Sequence, residues 1–365
     1  MARLSTCPPL TRDSVIEAYQ LVAPHVHRTP VVTCDTLDEQ VSIPRSVAER
    51  ACTRRTPRIR LYFKLENAQR TGSFKVRGAF HAVKRLMLED RDLIGVLTHS
   101  SGNHAQALAL VARDFGLDAH IVMPANSLPR KIAATRSYGA DVVFSGSTSD
   151  ERQAVAARVE AETGARLVPP YDHPDIILGQ GTMGLEFQDQ VAELMEGTGD
   201  GLDDGLDAIM TPCGGGGMLS GVALSCQDTG ILVFGAEPSF QGADDARRGY
   251  YSGSRVTAVS SLTVADGLRT PLGEHPWAII HDRRLVSGMY SVSEADILAA
   301  MRLLFEHTKL VVEPSACVGL AVALFNEDFR DMVARTAGNR EWHLGLVLSG
   351  GNVGLDSLGA MFAQS

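Results

Sequence analysis

"TGSFKVRGAF" (residues 71–80) places a single lysine at the point where a turn leads into a helix. Thr71, Gly72 and Ser73 are typical turn residues, and the run from Val76 to Phe80 is typical of a helix packed on a core. A surface lysine needs no such setting. An amine that binds a carbonyl group does, because a desolvated lysine is more easily kept neutral and nucleophilic. The stretch therefore predicts a ligand-binding lysine, Lys75, at the start of a core helix.

The composition is that of an ordinary globular protein. The chain has 365 residues, of which 44% are hydrophobic and 21% charged, enough for two domains or one large α/β unit. Its net charge of −9 does not favour nucleic acids or anionic membranes, and no apolar run is long enough to span a bilayer. The N-terminal segment lacks a secretory signal, and six cysteines without metal-binding spacing are expected to be free thiols. These features predict a cytoplasmic protein.

Short apolar runs alternate with helical patterns in the middle of the chain. Strands are predicted at 94–100, 119–124 and 140–146, and the helices that follow them at 103–116, 129–139 and 149–164. Each helical pattern ends in a glycine, the usual residue after a helix C-terminus. Three successive β-α units favour a parallel sheet covered by helices.

A second α/β region is predicted beyond residue 205. It includes the apolar run "GILVFGAEP", the helical pattern "SEADILAAMRLLFEHT" and a terminal strand in "HLGLVLSGG". Two stretches interrupt the pattern. Residues 42–60 are rich in arginine, and residues 197–207 are acidic and glycine-rich. Both compositions indicate solvated surface loops rather than binding sites.

Four consecutive glycines follow a predicted strand in "TPCGGGGMLSG" (residues 211–221). Glycines let the backbone turn with positive φ and bring its N–H groups close to a ligand, and the start of a helix favours an anion. No Gly-Lys-Ser/Thr follows, so the segment is not a nucleotide-binding P-loop. Taken alone, the pattern fits a flexible turn as well as a phosphate-binding loop.

Two further loops follow predicted strands. "SSGNHAQA" (100–107) offers Ser100, Ser101, Asn103 and backbone N–H groups for a carboxylate, although Ser101 or Asn103 is also suited to cap the helix. "LSGGNV" (348–353) places Ser349 where a strand gives way to a glycine turn. Ligands of open parallel sheets bind at the carboxyl ends of strands. A lysine, a phosphate-sized loop, a carboxylate-binding loop and this serine together fit pyridoxal phosphate.

In their residues and their order, these motifs resemble those of the fold type II pyridoxal-phosphate enzymes, and within that family those of the serine racemases and serine/threonine dehydratases. The similarity runs from "HRTPVVTCDTLD" to "LSGGNV" and includes "GSFKVRGA", "HSSGNHAQA", "GQGT", "GGGGMLSG", "AEP" and "TVADGLRTP" in the family's order. The resemblance implies an α/β fold like that of tryptophan synthase β, with parallel-rich sheets and the cofactor in an interdomain cleft. It implies a small domain at 95–172, a large domain at 1–94 and 173–365, and no C-terminal regulatory domain.

The resemblance also implies a role for each motif residue. Lys75 would bind the cofactor aldehyde and later move protons at the substrate Cα, with Phe74 against the cofactor ring. Asn103 would hydrogen-bond the ring oxygen, and Ser349 would meet the ring nitrogen. Backbone N–H groups would bind the phosphate, from Gly214, Gly215, Gly216, Gly217 and Met218. The substrate carboxylate would lie beside Ser100, Ser101, Asn103 and His104.

Racemisation needs a second acid or base on the opposite face of Cα. In serine racemases the second serine of "SSGN" has this role, which here is Ser101. Simple threonine dehydratases often have a small apolar residue there, so Ser101 favours racemase capability. Two positions depart from the family pattern. Tyr171 stands where some racemases have Asn, and Asp35, where several have Ser, is interpreted as a helix cap.

The resemblance further implies a divalent cation, Mg2+, Ca2+ or Mn2+, bound by a Glu, a backbone carbonyl and an Asp. Here the ligands would be Glu237, the carbonyl of Ala243 and Asp245, if the two extra residues before Ala243 bulge outward. Oxygen ligands suit such hard cations. A solvated acidic loop without metal is the alternative.

The sequence therefore predicts a homodimeric enzyme that racemises L-serine or a similar small β-hydroxy amino acid, eliminates its β-hydroxyl, or does both. A dedicated L-threonine or 3-hydroxyaspartate dehydratase is the alternative. A β-replacing synthase fits "SSGNHAQA" and "ADGLRTP" less well. The intact Lys75 and glycine loop argue against a non-catalytic binding module.

Overall fold

Ten β-strands among the described residues form two sheets. The computed structural model describes residues 3–43, 57–196, 205–338 and 340–363. In chain order the strands are β1 (Val31–Val32), β2 (Ile59–Leu65), β3 (Gly95–Thr98), β4 (Asp118–Pro124), β5 (Asp141–Ser145), β6 (Arg166–Leu167), β7 (Ala208–Pro212), β8 (Leu232–Pro238), β9 (Gly288–Val292) and β10 (Trp342–Leu348).

Helices surround both sheets. Within the described ranges the α-helices are α1 (Arg12–Val22), α2 (Asp35–Ser42), α3 (Lys75–Glu89), α4 (Asn103–Phe115), α5 (Pro129–Ser137), α6 (Ser149–Thr163), α7 (Pro174–Glu196), α8 (Gly217–Ser225), α9 (Asp245–Ser252), α10 (Glu274–Ile280), α11 (Glu294–Thr308), α12 (Pro314–Phe325), α13 (Glu327–Ala337) and α14 (Leu355–Ala363). Among the residues described, no helix combines the length and apolar character that a membrane crossing requires.

The six-stranded sheet carries the larger core. Its strand order is β1-β2-β10-β7-β8-β9, with β1 antiparallel to β2 and the other pairs parallel. Alternate residues point to opposite faces, so Leu61 and Phe63 pack with α12 while Tyr62 packs with α7 and α8. β2 and β10 are in register, with Leu65 opposite Leu348. The segments that follow these two strands therefore leave the sheet side by side.

The four-stranded sheet confirms the parallel sheet predicted from three β-α units. Its order is β5-β4-β3-β6 and all its pairs are parallel. α3 and α4 cover one face and α6 the other. The short strand β6 has no sequence signal of its own and is held by pairing with β3. All four strands lie within residues 95–172, while the domain boundaries themselves stay a prediction.

Several predicted bounds need correction. β3 ends at Thr98, two residues before the predicted end, so Ser100 lies in a loop. α4 and α6 end as predicted, with Gly116 and Gly164 at φ +68° and +70°, whereas α5 ends at Ser137. Asp35 does not cap α2 but is its first residue, and its side chain is exposed.

The two predicted surface loops fall largely outside the described residues. Positions 44–56 of the first stretch and 197–204 of the second are not among them. Within the described part, β2 already begins at Ile59, so the first loop ends earlier than predicted.

A buried ionic cluster fixes the helix that carries Lys75. Arg77, two residues into α3, contacts Glu66 and Glu186 at 2.8 Å, and Lys64 contacts Glu186 at the same distance. All four side chains are excluded from solvent. Removing one member would leave an uncompensated buried charge, which typically costs about 3–5 kcal/mol. The cluster therefore holds the first turn of α3 firmly against the core.

Candidate active site

Lys75 is the first residue of α3 and lies where two parallel strands end. The backbone N–H of Phe74 donates to the carbonyl of Ser349 at 3.1 Å, and Ser73 forms an antiparallel bridge with Gly350. β2 and β10 are neighbours, so the segments after them come together at one edge of the sheet. The structure thus brings Lys75 and Ser349 into one site, although 274 positions separate them in the sequence.

The surroundings of Lys75 lower the pKa of its amine. The side chain is half-buried, and Nζ donates to the carbonyl of Pro170 at 2.6 Å and lies 5.1 Å from the centre of the Phe74 ring. Burial lowers the pKa to about 8, and the negative charge of Glu313 acts in the opposite direction. A substantial fraction of this amine is therefore neutral near physiological pH, as a nucleophile or a base requires.

Asn103 connects the small sheet to the large one. The residue that caps α4 is Gly102, and no side chain makes the capping hydrogen bond, so the helix-cap interpretation of Ser101 and Asn103 is wrong. Instead, Asn103 Nδ2 donates to Glu313 Oε1 at 2.9 Å, and Asn103 Oδ1 accepts from Asn352 Nδ2 at 2.9 Å. The amide is therefore held by loops of the six-stranded sheet.

The predicted carboxylate-binding loop follows β3. Ser100 and Ser101 are half-buried, and Ser100 Oγ accepts from the backbone N–H of Gly102 at 3.4 Å. His104 is buried beneath the loop, where Nε2 donates to the carbonyl of Val168 at 3.0 Å. Burial, followed by the charge of Lys75, lowers the His104 pKa to about 3. This neutral ring leaves Nδ1 as an acceptor, so the geometry lends no support to the predicted contact with a substrate carboxylate.

The glycine loop is packed too tightly to be a flexible turn. Gly214–Gly217 are buried between β7 and α8, and Gly216 caps the helix with φ +86°. A Cβ on Gly215 would lie 2.4 Å from ring atoms of Tyr171, and a Cβ on Gly216 would lie 2.4 Å from Leu272 Cδ1. No side chain fits at either position. Free N–H groups of the first turn of α8, including that of Met218, favour a phosphate here.

Glu237 and Asp245 form a pair of buried carboxyl groups beside this loop. Both oxygens of Glu237 accept backbone N–H groups of the first turn of α9, at 3.1 and 2.7 Å. Asp245 Oδ2 accepts from Leu272 N at 2.9 Å, while its buried Oδ1 has no hydrogen-bond partner in the described ranges. The extra residues form an exposed turn at Phe240–Gly242, and Ala243 follows it, buried. A solvated acidic loop therefore does not describe these side chains.

Both carboxyl groups have a raised pKa. Burial raises the pKa of Glu237 well above its usual range, and the charge of Asp245 raises it further. Burial also raises the Asp245 pKa to about 6. A divalent cation would relieve this repulsion, because hard cations prefer clustered oxygen ligands.

Sequence reasoning missed three groups of the site: the Pro170 carbonyl, Asn352 and Glu313. The first is a backbone atom and the second lies within "LSGGNV", a motif already assigned to a turn, so neither was singled out. Glu313 had one. It is a lone acid before a proline and the apolar helix α12, where nothing in the helix requires a charge.

A cluster outside this site joins the N-terminal segment to the loop that contacts Lys75. Potential ligand atoms of Cys7, His173 and Asp175 lie within 4.8 Å of one another. His173 Nδ1 accepts from the Asp175 N–H at 3.2 Å, so in a neutral ring Nε2 carries the proton and faces Cys7 Sγ at 4.0 Å. A protonated nitrogen cannot bind a metal. We interpret this cluster as an anchor for the N-terminal segment.

Comparisons with known proteins agree over most of the chain. Residues 22–332 match the model of the family described as pyridoxal-phosphate dependent enzyme. The chain is 39% identical to a serine racemase of Arabidopsis thaliana, covering 96% of each chain. It is 38% identical to an L-threo-3-hydroxyaspartate ammonia-lyase of Saccharomyces cerevisiae, covering 94% of this chain and 93% of that one. The structure of maize serine racemase superposes with a TM-score of 0.81 at 36% identity, covering 97% of both chains.

Proposed function

Because the chain belongs to the pyridoxal-phosphate dependent enzymes, we propose that it racemises L-serine or a similar small β-hydroxy amino acid, removes its β-hydroxyl, or does both. It is an enzyme of the racemase and ammonia-lyase type, and its cofactor is pyridoxal phosphate. The observation that carries the proposal is the position of Lys75. Its amine, with a lowered pKa, lies at the strand ends where the glycine loop, Asn103 and Ser349 also meet.

The residues of this site fit the cofactor. The loop Gly214–Gly217 and the N–H of Met218 would hold the phosphate, since a side chain at Gly215 or Gly216 would clash. Lys75 would hold the aldehyde, with Phe74 against the ring. Asn103 and Ser349 would contact the ring oxygen and nitrogen. When bound, pyridoxal phosphate withdraws electrons from the substrate Cα and so makes its hydrogen acidic.

The protein supplies the proton transfers. Lys75, when neutral, takes the hydrogen from Cα on one face. Ser101 delivers or removes a proton on the opposite face, which racemisation requires and elimination does not. Ser100 and the N–H groups at the start of α4 bind the substrate carboxylate. Ser349 would meet the ring nitrogen with a hydroxyl, which cannot supply the charge of an Asp and would leave that nitrogen largely neutral. That environment favours rapid loss of a β-hydroxyl.

Dehydration of 3-hydroxyaspartate is the second candidate function. The pKa of His99, the residue before Ser100, is lowered mainly by burial and also by the charge of Arg152. Arg152 donates to the carbonyl of Ser147 at 3.2 Å. A cation whose charge reaches the residue before the predicted carboxylate-binding loop would suit a substrate with a second carboxylate, because opposite charges attract. A dedicated L-threonine dehydratase would not need this cation, because L-threonine has no second carboxylate.

A substrate panel tests both candidates. The enzyme is incubated separately with L-serine, L-threonine and L-threo-3-hydroxyaspartate, and D-isomer, keto acid and ammonia are followed. We expect turnover of at least one hydroxy amino acid, with D-serine formed if racemisation occurs. Lys75→Ala should abolish every product, while Lys84→Ala, a change on the same helix, should not. Products from Lys75→Ala, or none from the wild type, would refute the proposal.

We also propose that Glu237, the Ala243 carbonyl and Asp245 bind Mg2+ or a similar cation. Support comes from the unpartnered Oδ1 of Asp245 and from the raised pKa values of both acids. Protons compete for the same oxygens, so the affinity should fall as the pH drops below about 6.

We further propose a homodimer in the cytoplasm with the two domains predicted from the sequence. The five cysteines described, Cys7, Cys34, Cys213, Cys226 and Cys317, are free thiols, which suits a reducing compartment. Leu262 is 73% exposed, and its N–H is bonded to Gln241 beside the exposed Phe240. Such neighbouring apolar groups favour a protein contact. Light scattering should give twice the chain mass.

A further inference from the structure

Glu313 is a buried acid that none of the roles above uses. It immediately precedes α12 and is 6% exposed, yet its side chain does not cap that helix. The carboxylate turns toward Asn103, and Oε1 accepts from Asn103 Nδ2 at 2.9 Å. Its own N–H donates to the carbonyl of Gly350 at 3.0 Å, and a Cβ on Gly350 would lie only 2.8 Å from Oε1. The glycine turn after β10 thus leaves room for this carboxylate.

The hydrogen bonds around Asn103 allow only one orientation of its amide. Asn352 Nδ2 donates both to the carbonyl of Thr71 at 2.8 Å and to Asn103 Oδ1 at 2.9 Å, so the Thr71 carbonyl fixes Asn352. Turning the Asn103 amide over would oppose its oxygen to Glu313 and its NH2 to the NH2 of Asn352. One acceptor would then face another acceptor, and one donor another donor, so neither hydrogen bond could form. Asn103 consequently keeps one Nδ2 hydrogen to offer to a ligand.

Several titratable groups either act on Glu313 or are affected by its charge. A Cβ on Gly350 would lie 2.8 Å from Glu313 Oε1 and 3.2 Å from Ser73 Cβ, so the acid lies beside the segment that leads into Lys75. The Glu313 charge raises the pKa of the Lys75 amine, against the larger effect of burial. Asp266 and Lys131, paired at 2.6 Å, act on the Glu313 pKa with opposite signs. Burial, and then the Glu313 charge, raise the pKa of the Cys317 thiol on α12. Burial is the largest effect and raises the Glu313 pKa to about 7, while the Asn103 hydrogen bond lowers it. The acid and the Lys75 amine thus titrate within the same pH range.

We propose that Glu313 is a positioning residue of this active site, which holds the Asn103 amide in one orientation and supplies the negative charge that acts on Lys75. The inference rests on the proposed function for the meaning of the Asn103 contact. The effect of the Glu313 charge on Lys75 involves only groups of the protein, so it is tested without the cofactor.

The first experiment measures the reactivity of Lys75 in the cofactor-free full chain. The rate of acetylation of Lys75 by acetic anhydride is followed against pH by peptide mass spectrometry, because only the neutral amine reacts. Glu313→Gln removes the charge that raises the Lys75 pKa, so the midpoint should move to lower pH. Glu306→Gln, the same change at an exposed site, should leave it near 8. An unchanged or higher midpoint in Glu313→Gln would overturn the proposal.

The second experiment measures the equilibrium affinity for pyridoxal phosphate through its visible absorbance. Glu313→Ala removes the acceptor for Asn103 and should weaken binding roughly 2- to 10-fold, the effect of one hydrogen bond. Glu313→Gln keeps an acceptor oxygen and should restore most of the affinity, with thermal melting to confirm folding. Wild-type affinity in Glu313→Ala would contradict the positioning role. A wild type that binds no cofactor would refute the proposed function, while the acetylation midpoint would still decide the coupling.

Discussion

Lys75 shows how surroundings give an ordinary side chain a catalytic role. Two residues along the same helix, Arg77 has its charge fully compensated by Glu66 and Glu186, and the same surroundings raise its pKa. Lys75 instead donates a hydrogen bond to a backbone carbonyl, that of Pro170, and the charge of one acid, Glu313, acts on it. Burial therefore dominates, and the amine is poised to lose its proton. The sequence motif identifies the lysine, but only the fold shows this difference between neighbours.

The pH dependence of turnover should report this amine. Since the folded-state pKa of Lys75 is about 8, its neutral fraction falls about tenfold for each pH unit below that value. The rate of α-proton exchange from the L-substrate should rise from pH 6 to about 8 and then level off. Deuterium incorporation at Cα, followed by NMR, measures it. A rate that is flat across this range would rule out Lys75 as the titrating base.

Ser101→Ala should separate the two activities. The change deletes the proposed proton donor on the second face and keeps the loop backbone that binds the carboxylate. General acid–base groups contribute about 100- to 10,000-fold, so D-serine formation should fall at least 100-fold. Pyruvate formation from L-serine should fall much less. The two products are followed in one incubation, with the exposed Ser137→Ala as control.

Equal losses of D-serine and pyruvate in Ser101→Ala would mean that Ser101 only positions the substrate. A wild type that forms no D-serine would leave elimination as the activity of this chain.

At the scale of elements, residues from other segments of the chain hold the turn between β7 and α8 in place. Tyr171 packs on Gly215, and the Gly273 N–H donates to the Gly215 carbonyl at 3.2 Å. The neighbouring Leu272 N–H donates to Asp245 at 2.9 Å. The proposed phosphate loop and the proposed cation site are therefore linked by one short segment. Tyr171, a departure from the family pattern, thus lies against the phosphate loop.

Gly215→Ala should weaken cofactor binding by displacing the Tyr171 ring. The added Cβ would lie 2.4 Å from that ring, which forces the loop or the ring to move. We expect a loss of affinity of at least tenfold, and the double variant Gly215→Ala/Tyr171→Ala should recover part of it, since contacting residues couple. Gly205→Ala, where a Cβ meets nothing within 4 Å, is the control. Additive losses in the double variant would contradict the contact.

Removal of the cation should loosen the phosphate loop as well as the cation site. Chelator treatment should lower the melting temperature and the affinity for pyridoxal phosphate together, because a ligand of the native state stabilises it. Added Mg2+ should reverse both effects. Glu237→Gln should make the protein indifferent to either treatment, while Glu306→Gln should behave as wild type. A wild type that responds to neither chelator nor Mg2+ would remove the cation from this account.

Across the whole molecule, local elements could be predicted from the sequence better than the pairing of distant strands. The units from β3 to α6 were predictable because each strand is a continuous apolar run and each helix pattern ends in a glycine. The strand order of the six-stranded sheet, β1-β2-β10-β7-β8-β9, was not predictable, because strands distant in sequence pair in that sheet. The motif residues Lys75, Asn103 and Ser349 were predictable from the family resemblance. Glu313 and the Pro170 carbonyl join the site only through the meeting of the two sheets.

The most direct test is to identify the lysine that binds the cofactor. The full chain is loaded with pyridoxal phosphate and treated with borohydride, which fixes the cofactor to its lysine, and the digested protein is mapped by mass spectrometry. We expect the modification on Lys75 in the wild type and none in Lys75→Ala. Modification of Lys64, Lys84 or Lys131 with Lys75 unmodified would contradict it.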